Sequence, residues 1–63
     1  MQPHQERVVQ EKADLDQNIK KLAFFNTQGL FFSLDLDERK RLELQLASMR
    51  EYSKILGERI AAF

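Results

Sequence analysis

The chain has no cysteine, no tryptophan, one proline, two glycines and a single histidine in 63 residues. Without cysteine there is neither a disulfide nor a thiolate metal site to stiffen it, and one histidine cannot build a metal cage by itself. Charge of one sign is missing too: ten Lys and Arg face ten Asp and Glu, mixed along the whole length, for a formal net charge of zero. That balance removes the general attraction for phosphate backbones and anionic membranes on which DNA, RNA and membrane-surface binders rely. Long apolar runs are absent as well. The stretch MQPHQERVV lacks the basic start and following apolar run of an export signal, and nothing approaches the roughly 20 apolar residues that span a bilayer. The expectation is one small soluble domain over residues 1–63, cytoplasmic, with no cofactor, no membrane and no nucleic acid. A chain this short seldom builds a core worth more than about 3 to 5 kcal/mol, so self-association is the expected remedy.

What is present is helical periodicity. Pro3 suits a first helical turn, where its missing N–H has no intrahelical partner to lose. From about residue 3 to 25, Val8, Leu15, Ile19 and Leu22 recur at helical spacing, broadened by Val9, Ala13 and Ala23. The stripe is thin between Val9 and Leu15, where Glu11, Lys12 and Asp14 leave room for a partner or ligand. Residues 26–35 break the period with Asn, Thr, Gly and Ser, and Gly29 is a candidate for a left-handed turn residue. Leu30, Phe31, Phe32 and Leu34 are nevertheless too apolar for a solvated loop, so this connector belongs to the core as an irregular turn or short helix.

Asp35 with Glu38 three residues later forms the reciprocal capping pattern that opens a helix. The second helix is predicted over about 36–62, on a stripe of Leu42, Leu46, Met49, Leu56, Ile60 and Phe63 in which Ser53 stands in for an apolar residue. A second row of Leu44, Tyr52 and Ile55 widens its apolar face. The two helices, roughly 33 and 40 Å long at about 1.5 Å per residue, imply an all-α antiparallel hairpin with a Phe-rich connector. A hairpin leaves the far side of each stripe in water, and a symmetric homo-oligomer would cover it through Phe24, Phe25, Phe31, Phe32, Met49, Tyr52, Leu56, Ile60 and Phe63. Gly57, inside the helix, suggests close passage of a neighbouring backbone.

Chemistry for catalysis is sparse, with no Cys nucleophile, no second His and no glycine-rich phosphate loop. Most acids fall on solvated helix faces, with Asp16 to Lys20 and Asp37 to Arg41 in the favourable i to i+4 order. The candidate ligand contacts are cations and one imidazole: His4, Arg7, Lys12, the adjacent pair Lys20 and Lys21, and Arg59. Surface charge is the ordinary reading of such residues. Arg59 is the most suggestive, because it interrupts the apolar sequence Ile55, Leu56, Ile60 and Phe63.

Two stretches, PHQERVVQEKADLDQNIKKLAFF and LELQLASMREYSKILGERIAAF, together resemble the phage and prophage family of small helical proteins that sequester cyclic oligonucleotide signals and so block the bacterial CBASS antiviral defence. The most specific parts are HQERVV followed by EK and LD, and Met49, Tyr52, Ile55, Leu56, Arg59 and Ile60 near the end. The resemblance implies compact helical protomers, hexameric assembly, and binding without cleavage at sites between subunits. It implies a dinucleotide site between first helices of two subunits, where His4 occupies the stacking region, with Arg7 and Lys12 nearby and Lys20 or Lys21 toward phosphate. Arg59 corresponds to the family's trinucleotide arginine. The competing expectation is a helical oligomerisation or protein-interaction module with no nucleotide ligand.

Overall fold

The computed structural model describes residues 1–63 as three helices: α1 (Pro3–Phe25), α2 (Gly29–Ser33) and α3 (Leu36–Ala61). α1 starts with Pro3 at its first position, and the Gln2 backbone N–H donates to Gln5 Oε1 at 2.9 Å, closing the exposed end. α3 starts on Asp35, whose Oδ1 accepts the Glu38 N–H at 2.8 Å. Only this half of the reciprocal cap forms as a side-chain bond. The Glu38 carboxylate turns down the helix and accepts from Arg41 Nε at 2.8 Å, displacing the expected Asp37–Arg41 pair. α3 ends at Ala61, one residue earlier than expected, with Ala62 as its cap.

α1 and α3 lie antiparallel and make a rod of 45 × 14 × 13 Å in Cα extent. The reversal uses no left-handed residue. Gly29 opens α2 in ordinary right-handed geometry, so the expectation of a left-handed turn there is corrected. Thr27 Oγ1 donates to the Phe24 carbonyl at 2.7 Å and Ser33 Oγ to the Leu30 carbonyl at 2.6 Å, holding the chain on either side of the short helix. α2 aims Phe31 into the seam, where it is 3% exposed and meets the Phe25 ring edge-to-face at 6.3 Å. The connector thus joins the core through Phe31, with Leu34 half-buried, whereas Leu30 and Phe32, expected there with them, stay outside at 68% and 59% exposure.

The interior is a single seam. Val8, Phe31, Leu46 and Leu56 are its buried apolar residues, and Leu56 has no exposed surface at all. The accessible area of 4747 Å² exceeds the roughly 4,200 Å² of a compact chain of this mass, as an elongated two-helix rod must. Large apolar side chains stay outside at three places, one of them toward the chain termini with Met1, Val9 and Phe63. Phe24, Leu30, Phe32 and Leu36 crowd the bend, and Leu44, Tyr52 and Ile55 form a row along α3. No helix is long and apolar enough to cross a membrane.

Candidate functional site

The middle of the seam is polar. Lys12 Nζ donates to Asp16 Oδ2 and to Ser53 Oγ, each at 2.9 Å, and Ser53 Oγ donates to Asp16 Oδ1. Three side chains from two helices thus close a ring in which both carboxylate oxygens are used. Beside it the Tyr52 hydroxyl donates to Glu11 Oε2, a third hydrogen bond between α3 and α1. Donation by Ser53, then by Lys12, holds the Asp16 carboxyl below its ordinary range, against the smaller opposing effect of desolvation. Lys12, a candidate ligand contact by sequence, is half-buried and committed to this ring. Its stem also explains Gly57: a Cβ there would stand 3.3 Å from Lys12 Cε, so a side chain, not the neighbouring backbone expected from sequence, passes close. Asp16 pairs with Lys12 and not with Lys20, because Ser53 holds the carboxylate toward the seam.

The other candidate cations are exposed. With residues 11 and 12 bonded to 52 and 53, antiparallel order carries Arg59 to the level of His4 and Arg7, about 9 Å beyond the ring at roughly 1.5 Å per residue. His4, Arg7 and Arg59 therefore share the end of the rod where the chain termini meet. Lys20 and Lys21 lie on the far side of the ring, roughly 24 Å along α1 from His4 by the same rise. The chain's two ion pairs are Lys12–Asp16 and Glu38–Arg41, so His4, Arg7, Lys20, Lys21 and Arg59 have no carboxylate within ion-pair distance. These are donors suited to phosphate oxygens, and Arg39, Lys40, Arg50 and Lys54 are unpaired in the same way.

Of the residues expected between copies, Phe24, Phe32, Tyr52 and Phe63 are exposed, and Phe25, Met49 and Ile60 are half-buried. Leu56 and Phe31 are used up inside the protomer, because the seam closes over them. Sequence reasoning missed the bonding of Asp16 and Glu11 to α3. The available signal was that Lys12 and Ser53 each interrupt an otherwise apolar stripe.

These features define a small all-α hairpin with exposed cations at one end and an apolar tip at the other. The chain belongs to the Sequestin family, whose family model matches residues 2–62 and so covers both stretches on which the resemblance rested. No curated protein and no solved structure matches it.

Proposed function

We propose that the protein is a non-enzymatic phage immune-evasion factor that binds cyclic di- or trinucleotides between subunits of a homo-oligomer, a hexamer in the family's manner, and withholds them from CBASS effectors in the host cytoplasm. Family membership carries this reading, since the family's name states sequestration. The unpaired cations support it, because each is free to meet a phosphate oxygen without first breaking an ion pair. A two-helix rod has only its filled seam as interior, so a ligand of this size is held on outer surfaces and enclosed by a second copy. Two-fold pairing of α1 suits a nearly two-fold dinucleotide, with Lys20 or Lys21 of one copy brought toward His4 of another. A three-fold arrangement of Arg59 suits a trinucleotide.

Calorimetric titration with a panel of cyclic di- and trinucleotides, on protein whose mass is fixed by light scattering, tests this. One ligand per two subunits supports the two-fold site and one per three the three-fold site. Arg59→Ala is expected to abolish trinucleotide binding with the oligomer intact, and unchanged affinity would remove that assignment. The exposed Phe24, Leu30, Phe32 and Leu36 favour a second reading, a helical module that binds a protein partner through its tip. Binding of no cyclic nucleotide would select it.

A further inference from the structure

The inward residues of α1 step as Gln5, Val8, Lys12, Leu15, Ile19 and Leu22, and every one is buried or half-buried. Those of α3 step as Leu42, Leu46, Met49, Ser53, Leu56 and Ile60, with the same burial. Both stripes alternate steps of three and four without a fault, so apolar contact alone leaves the helices free to slide by one turn. A one-turn slide, about 5 Å, still sets Leu15 and Ile19 against Leu46 and Leu42 in one direction, or Val8, Ile19 and Leu22 against Ile60, Met49 and Leu46 in the other, and needs only the ten-residue connector to adjust. Past Gln5 at its open end, each stripe is interrupted by one polar residue, and the two interruptions meet: Lys12 Nζ is 2.9 Å from Ser53 Oγ. A slide of one turn toward either end would set Lys12 against Met49 or Leu56 and bury its ammonium without the serine.

We propose that Lys12 and Ser53, with Asp16, are positioning residues that select one register of α1 on α3. Their place in binding is indirect. By fixing the slide they decide that Arg59, and not a neighbour one turn away, stands at the level of His4 and Arg7. That consequence rests on the function proposed above, whereas the register itself does not. Gly57 belongs to the same device, because its missing side chain leaves the space through which the Lys12 stem reaches Ser53. A single polar residue inside a heptad stripe fixes register in coiled coils in the same way, at a cost in stability.

The absence of native cysteine makes the test direct. Three reporters carry Glu11→Cys with Tyr52→Cys for the observed register, or with Ser48→Cys or Ile55→Cys for one turn either way. Each is treated with a short thiol-to-thiol cross-linker, first in the otherwise unchanged chain and then with Lys12→Leu plus Ser53→Leu. In the unchanged chain the 11–52 product is expected to exceed either displaced product on the order of tenfold, the ratio set by burying an unsatisfied polar group. In the double-leucine chain the ratio is expected to fall to about threefold or less while helicity holds, since leucine against leucine is satisfied equally well in a displaced register. Exclusive 11–52 cross-linking in a helical double-leucine chain would overturn the proposal. The milder Ser53→Ala, expected to give an intermediate ratio, provides the same decision if the leucine pair does not fold. Nucleotide titration of the double-leucine chain reads the functional half: unchanged affinity at lost register would refute the positioning role. An unchanged chain that binds no cyclic nucleotide would refute the proposed function and leave the register result standing.

Discussion

Leu56→Ala is the sharpest test of where this rod keeps its stability. Leu56 is the only large side chain with no exposed surface, and it lies one turn from the polar ring. Truncating a fully buried leucine costs about 2 to 5 kcal/mol, the spread depending on how far the surroundings collapse. A two-helix seam collapses more readily than a core enclosed on all sides, which places the expected loss near 3 kcal/mol. A 63-residue chain has only about 3 to 9 kcal/mol in total. At roughly 4 to 8 °C per kcal/mol for a chain of this size, the midpoint should fall by about 10 to 25 °C. Circular dichroism against temperature and urea, at two protein concentrations tenfold apart, measures it. Phe24→Ala is the control: at 67% exposure it should change a lone protomer by less than about 0.5 kcal/mol. If a second copy covers Phe24, that effect grows and becomes concentration-dependent, whereas the Leu56 effect is already present in the protomer. A Leu56→Ala loss below about 1 kcal/mol would refute the claim that the seam holds the fold.

Two further outcomes follow from the polar ring. Because donation by Ser53 and Lys12 holds the Asp16 carboxyl below its ordinary value of 3.8, its contribution is fully present above that value and is lost as pH falls through the lower, folded value; urea midpoints followed from pH 5 downward should therefore drop more steeply below about pH 4 than in Asp16→Asn. Gly57→Ala gains helix propensity of about 1 kcal/mol but crowds the Lys12 stem, so its benefit should be smaller in the natural chain than in Lys12→Ala, with a coupling above about 0.5 kcal/mol in a double-mutant cycle; strict additivity would remove the contact.

The helices could be read from the sequence because their stripes repeat every three or four residues, and the start of α3 because Asp35 is a strong cap. Their antiparallel order followed from lengths and a short connector, whereas the meeting of His4, Arg7 and Arg59 at one end emerges only from the paired helices. The middle of the seam was not readable in the same way. A lysine at position 12 presents to sequence reasoning as a charge seeking water or phosphate, and only the register of the opposite helix reveals that Ser53 awaits it. Ion-pair partners were misjudged for a related reason. Spacing within one helix makes Lys12 and Lys20 equal neighbours of Asp16, and the choice between them is made by a hydroxyl on α3. Gly57 was recognised as unusual, but what occupies its space belongs to tertiary structure alone.

The chain reverses direction without a single residue of positive φ, and open space surrounds the Cα of Gly29. The bend therefore imposes almost no backbone requirement on its amino acids beyond the seat that Phe31 fills. Its outward residues, Phe24, Leu30 and Phe32 among them, can drift, exchange size or acquire charge without unsettling the pairing of the long helices. Such a tip is open to evolutionary change by itself, so that descendants of one hairpin can diversify the surface they show to other molecules while keeping the rod, its register and its opposite end unaltered.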